Sequence, residues 1–313
     1  MIRRLGVFTS FFIWIFASNV AFPVAERSQV SEFNDNRFVI GRISAHPDAA
    51  LTDLRAMSSY LRTALPVGEK IAFDEIVVSS LTEMAPLLRD GMVDLISETP
   101  IGAVELEQRV GAEIILHEWK KGVAQYAGLI IVHRDSGIGS LRDLRGRVVA
   151  FEDPGSTSGF FIPMAALKKE GINTVELTNR YDRPPEDVLG YVFAGVELNI
   201  ASLVARKIVD AGAISDLNWN DLKEVPAGFK ERLNVIFTSD FVPRSTVVVR
   251  PGLAEGVKAQ LVEAFVDMHK TEEGVAAMKK YHGVARYKKI EGQLASQFNN
   301  VRTLHQRIQG FIK

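Results

Sequence analysis

The residues best suited to chemistry lie in one run, VVAFEDPGSTSGFFIP, from Val148 to Pro163. An apolar strand pattern gives way to Asp153-Pro154-Gly155, which turns the chain, and Ser156, Thr157 and Ser158 then open a helix. The first N–H groups of a helix have no acceptor one turn back, and the helix dipole is positive there. Hydroxyls beside those N–H groups complete a compact set of donors, which a tetrahedral oxyanion fills without help from a lysine. Gly155 and Gly159 let the backbone come close to such a ligand. Pro163 is tolerated only near a first turn, so the helix is expected to start around Ser158. Ser156 or Ser158 acting as an ordinary helix cap is the alternative, and at this level it stays open.

Other chemistries find little support. The chain has no cysteine, which removes disulfides, thiolate metal sites and a cysteine nucleophile. The histidines are His46, His117, His133, His269, His282 and His305, and no two have the close spacing of metal ligands, so no metal and no cofactor are expected. There is no GxSxG elbow and no HExxH, and a Ser156 nucleophile would need a base from elsewhere; no enzyme is expected. The nucleotide P-loop pattern and its lysine are missing after Gly155. With 37 basic and 38 acidic residues, the net charge of −1 gives no electropositive field for nucleic acid.

The elements that must position the Ser156 region are strands alternating with helices. Strand patterns are read at Arg37–Ile43, Ile71–Val78, Val93–Ile96, Ala112–Leu116 and over the long run Gly122–Val132. They continue at Arg147–Phe151, Val175–Leu177, Tyr191–Ala194, Ala211–Ile214, Leu233–Thr238 and Ser245–Val249. Helical patterns fall at Leu51–Leu65, Leu81–Arg89, Pro100–Val110, Ser158–Glu170 and Leu198–Lys207, with Ser80 and Glu83 forming a capping-box signature. Three more close the chain at Leu253–His269, Glu272–Tyr281 and Glu291–Ile308. This βα alternation implies an α/β protein whose sheets are mostly parallel and covered on both faces. At 313 residues, two domains are the default. A half-repeat supports two similar lobes: a helix, then Val93-Asp94 before a strand, recurs as a helix, then Val209-Asp210 before a strand.

The N-terminus reads as an address. Arg3 and Arg4 precede an apolar run from Val7 to Phe22, and Ala25 stands before the polar Glu26-Arg27-Ser28-Gln29. That order reads as a secretory signal peptide over residues 1–25, with Ala21 as a competing cleavage site and a retained anchor as the alternative. The expected product is an exported, periplasmic protein acting as a monomer.

The segment GLIIVHRDSGIGSLRDLRGRVVAFEDPGSTSGFFIPMAALKKEGI, Gly128 to Ile172, resembles the central signature of periplasmic phosphonate, phosphite and phosphate-like binding proteins of ABC importers. Its marks here are Asp135 to Ile138, Ser140, Asp143-Leu144, Gly146, and Asp153 to Gly159 with Pro163. The resemblance implies a two-lobed type II periplasmic-binding fold with two crossover strands. It implies a first lobe from 36–126 together with 246–313, including the C-terminal helices, and a second lobe at 127–245. It also implies a pocket residue by residue. Ser156, Thr157, Ser158 and Gly159 match the anion-binding helix start, Tyr126 the aromatic donor on the first crossover, and Asp210 the acid after the second-lobe helix. The family's Gly-Ser-His is replaced by Gly195-Val196-Glu197, which puts a carboxylate where a histidine contacts the anion. The cluster after the first strand becomes Ser44-Ala45-His46-Pro47, which makes His46 a further candidate. Arg180 and Arg244 are candidates for positive charge at the cleft mouth. The implied role is capture of a small anion, phosphonate-like, for delivery to an ABC permease. The alternative is a sensor of the same fold that reports to a membrane receptor or histidine kinase.

Overall fold

The computed structural model describes residues 37–44, 46–66 and 68–309, and the expected leader over 1–25 lies outside them. The first part of the chain runs β1 (Arg37–Ile43), α1 (Pro47–Ala64), β2 (Ala72–Val78), α2 (Leu81–Arg89), β3 (Leu95–Glu98), α3 (Pro100–Val110) and β4 (Glu113–Glu118). Phe38, Val39 and Ile40 of β1 are buried in succession, which requires cover on both faces of the sheet. Burying each such side chain contributes about 1.5–3 kcal/mol. Leu54, Met57 and Leu61 bury the apolar stripe of α1. Ser80 caps α2 by accepting from the Glu83 N–H at 3.2 Å, while the Glu83 carboxylate turns to the N–H and hydroxyl of Ser79. The capping box read from sequence is therefore shifted by one residue on its return side.

The expected long strand over Gly122–Val132 is broken at Ala127 into β5 (Gln125–Tyr126) and β6 (Gly128–His133). The break has a cause. β5 pairs with β12 (Val242–Pro243) as a two-stranded crossover, whereas β6 enters the second sheet. That second unit contains β7 (Val148–Phe151), α4 (Ile162–Lys169), β8 (Asn173–Glu176), β9 (Val188–Phe193), α5 (Glu197–Ala205), β10 (Ala211–Ser215), α6 (Asp216–Asn220), α7 (Ala227–Lys230) and β11 (Leu233–Thr238). The chain returns through β12 to β13 (Ser245–Val249), then α8 (Glu255–Asp267), α9 (Glu272–Lys280), β14 (Tyr287–Lys288) and α10 (Gly292–Gln309).

Each sheet has six strands, in the orders β14-β4-β13-β3-β1-β2 and β11-β6-β10-β7-β9-β8. In the first, β1 pairs in parallel with β2 and β3, and β13 inserts antiparallel between β3 and β4. In the second, β7, β8, β9 and β10 are parallel, and β6 inserts antiparallel between β10 and β11. Each sheet thus receives one strand directly from a crossover, and that strand runs against its neighbours. Both sheets are mixed and flanked by helices, in a type II periplasmic-binding architecture.

The half-repeat is structural. Asp94 accepts the Val39 N–H at 2.8 Å, and its own N–H donates to the Val39 carbonyl at 2.9 Å. Asp210 repeats both bonds with Val148, each at 2.9 Å. In each lobe the aspartate staples the start of one parallel strand to the segment entering its neighbour. The last helix does more than extend the first lobe. Arg302 on α10 forms a two-point ion pair with Glu107 on α3, and His305 stacks on Phe161 at 5.6 Å, so α10 touches both units.

Candidate functional site

The Ser156 region forms a π turn at Thr157–Phe161 that continues into α4. Pro163 explains it. Proline has no N–H to give the Gly159 carbonyl, and its ring crowds that carbonyl, so the turn widens. Phe161 and Ile162 bond back to the carbonyls of Ser156 and Thr157, and the freed Gly159 carbonyl accepts the Glu152 N–H at 3.2 Å. A Cβ on Gly159 would lie 2.7 Å from the Glu152 carboxylate and 2.9 Å from Ser156 Oγ, so only glycine fits. Ser156 is the cap: its Oγ accepts the Gly159 N–H at 2.9 Å and donates to Glu152 at 2.5 Å. Its hydroxyl proton is already committed.

Thr157 and Ser158 carry the unspent donors. Their amides are the first of the turn and have no acceptor one turn back. Thr157 Oγ1 accepts the Ile101 N–H at 3.2 Å, across from the first unit, and so keeps its own proton free to donate. The Tyr126 hydroxyl lies within hydrogen-bonding reach of both side chains, and burial raises its pKa. Tyr126, Thr157 and Ser158 are 3%, 1% and 6% exposed, yet all three line a cavity of about 940 Å³ between the lobes.

Charge lines both sides of the cavity. Glu152, Asp153 and Glu197 stand on the second-lobe side, with Asp221 and Glu224, and Glu98 and Glu105 are the acids of the first-lobe side. Burial, and then the charge of Glu197, lifts the Glu152 carboxyl to about 7, and burial also raises Glu197. On the first-lobe and crossover side stand Arg42, Lys120, Lys121 and Arg244, with His282 among them. The Arg244 guanidinium lies over the Tyr126 ring at 4.7 Å. Lys120 is pushed down to about 8, first by burial and then by Arg244.

The structure thus brings together Tyr126, Ser156, Thr157, Ser158 and Glu197. Three candidates stand elsewhere. Gly159 does not line the cavity; it makes room for Glu152. Asp210 does not line it either, because its carboxylate is spent on Val148 in the sheet. His46 is exposed at the start of α1, outside the lining. Arg180 lines a separate hollow on the second lobe, whereas Arg244 is in the cleft. Sequence reading missed Arg42, Lys120, Lys121, Glu98, Glu152 and His282. For Arg42, Glu98 and Glu152 a cue existed: each sits at or just past the carboxyl end of a parallel strand, where open α/β sheets bind ligands.

Among the described residues, no cluster of histidine and acidic side chains is arranged to hold a metal ion, and no helix is long and apolar enough to cross a membrane.

Comparison with known proteins agrees with this geometry. A family model described as "ABC transporter, phosphonate, periplasmic substrate-binding protein" matches residues 43–294. The protein XAC2383 from Xanthomonas citri, solved with chloride bound, is 29% identical over 88% of this chain and 100% of its own, with a TM-score of 0.84. The same protein solved with ATP bound gives 28% identity, 89% and 100% coverage, and a TM-score of 0.82. The phosphate-import protein PhnD of Mycolicibacterium smegmatis is 29% identical over 171 residues, which is 53% of this chain and 48% of that protein. The chain therefore spans about half the length of this curated relative. Given the family match over most of its length and a donor-lined cleft between two lobes, the chain belongs to the periplasmic substrate-binding proteins of phosphonate ABC transporters.

Proposed function

We propose that this chain captures an oxyanion of the phosphate or phosphonate class between its lobes and delivers it to an ABC permease. The observation that carries this is the pair of amides at Thr157 and Ser158, first in their turn, in residues that line the 940 Å³ cavity together with Tyr126. An anion there accepts several donors at once and meets the positive end of the α4 dipole. Lobe closure on the ligand is the change a permease would read. The similar protein solved with ATP bound and with chloride bound accords with an anionic ligand.

Calorimetric titration with phosphate, phosphite, alkyl and aminoalkyl phosphonates, sulfonates and amines tests this. Oxyanions are expected to bind and amines without an anionic group are not. Replacing Thr157 and Ser158 together by alanine should weaken the preferred oxyanion by about 1–3 kcal/mol per charge-assisted bond lost. Equal affinity in wild type and variant would remove the cradle. Ser156→Ala should act mainly on stability, lowering it by about 1 kcal/mol as a lost cap does, read as a shift in a urea midpoint.

A further inference from the structure

The cradle occupies one side of a cavity far larger than one tetrahedral oxyanion needs. The cleft, about 940 Å³, extends well beyond the cradle towards the first lobe. The opposite side carries its own concentration of positive charge. Arg42 comes from the end of β1, Lys120 from the turn after β4, Arg244 from the link between β12 and β13, and His282 from the turn after α9. Four separate segments therefore converge on one wall.

Their bonding is incomplete. One Arg42 amino group is held by Asp53 at 2.6 Å. Lys120 and Arg244 make no ion pair among the described residues. Arg244 Nε and His282 Nε2 are buried without a hydrogen-bond partner. Burial, followed by Lys120, Arg42, Arg244 and Lys121, pushes the His282 pKa down, which places all four cations around one imidazole and keeps it neutral. Glu98 and Glu118 stand beside Lys120, and burial raises the pKa of both. Tyr126 joins the two sides, with its ring beneath Arg244 and its hydroxyl at Thr157 and Ser158.

We propose that the ligand carries a second anionic group, and that Arg42, Lys120, Arg244 and His282 form the subsite that takes it. The ligand class is a molecule with two phosphoryl or phosphonyl groups close together, as in a diphosphate ester or a bisphosphonate. This rests on the cradle at Thr157 and Ser158 holding the first group. Arg42, Lys120 and Arg244 supply the cationic groups of this wall, and His282 stands among them.

The test is calorimetric titration of the protein with matched probes. Phosphate is compared with pyrophosphate, and methylphosphonate with bisphosphonates bridged by one, three and five methylenes. At least one doubly anionic probe is expected to bind ten- to a hundredfold more tightly than its single-headed counterpart. Lys120→Gln is expected to cut that ratio at least fivefold. The ratio compares two ligands on the same folded variant, so a general loss of stability does not mimic the effect. If single-headed probes bind and no second group adds affinity, the subsite is overturned while the cradle stands. If Lys120→Gln weakens single- and double-headed probes equally, one anion is gripped by both walls and the subsite is again overturned. If no oxyanion binds at all, the reading of the cleft fails with it.

Discussion

Asp94→Ala is expected to destabilise the protein by about 3–5 kcal/mol, the cost of breaking a buried ion pair from one side. The Asp94 side chain is 3% exposed and bonds Arg250 Nε at 2.7 Å as well as the Val39 N–H at 2.8 Å. Its removal leaves a guanidinium that is 13% exposed and a buried amide, both without their partner. In chemical denaturation the midpoint should fall with little change in slope. Asp94→Asn, which retains an acceptor for Val39 but not the charge for Arg250, should lie between. The pseudo-symmetric Asp210→Ala should cost only about 1–2 kcal/mol, because that carboxylate is 22% exposed and its Arg147 partner is 50% exposed at 3.7 Å. Equal losses at the two sites would contradict this difference in burial as the cause. A large drop in ligand affinity for Asp210→Ala at unchanged stability would return Asp210 to the binding site.

Glu152→Gln is expected to change both stability and affinity above neutral pH. The folded carboxyl titrates near 7 against an ordinary value of 4.5. Between those values the folded protein holds a proton that the unfolded chain has lost, so stability falls as pH rises through this window and levels off above it. The Glu152–Glu197 pair shares this titration, so the loss belongs to the pair. Wild-type Tm should therefore drop between pH 5 and pH 8 more than that of Glu152→Gln, in which the amide oxygen still accepts from Ser156. Parallel curves would place the titration elsewhere. Affinity follows the same sign. Below 7 the wall facing an anion is closer to neutral, and Lys120 loses its charge around pH 8. Oxyanion affinity should fall steadily from pH 6 to pH 9, with proton uptake on binding near pH 7.5, seen as a dependence of the binding enthalpy on buffer ionisation. Glu152→Gln should abolish the part of this fall centred on 7 and leave the part due to Lys120.

The site was partly legible because one piece of it is local. Asp153-Pro154-Gly155 followed by Ser156, Thr157 and Ser158 makes its own turn and opens its own helix, so its donors follow from the order of the residues. The π turn was less legible. It follows from Pro163 denying the Gly159 carbonyl a partner, and Glu152 fills the opening. Asp210 was less legible. The resemblance implied a pocket acid there, whereas in both lobes the carboxylate of the Val-Asp ending bonds the backbone of a neighbouring strand. His46 stood out for its position just past the first strand, yet it is exposed at the start of α1, while Arg42, near the end of β1, lines the cavity.

By itself the sequence determined the alternation of strands and helices, the division into two similar units and the helix opening at Ser156, Thr157 and Ser158. These depend on periodicity and on a few adjacent residues, and short-range sterics and hydrogen bonding decide them. Only the tertiary structure decided which charges meet across the cleft. Arg42, Lys120, Arg244 and His282 belong to no local pattern, and they converge because two crossovers and an inserted antiparallel strand fold distant segments onto one wall. A side chain's electrostatic role depends on its neighbours in space, and those neighbours are set by strand order rather than by spacing along the chain.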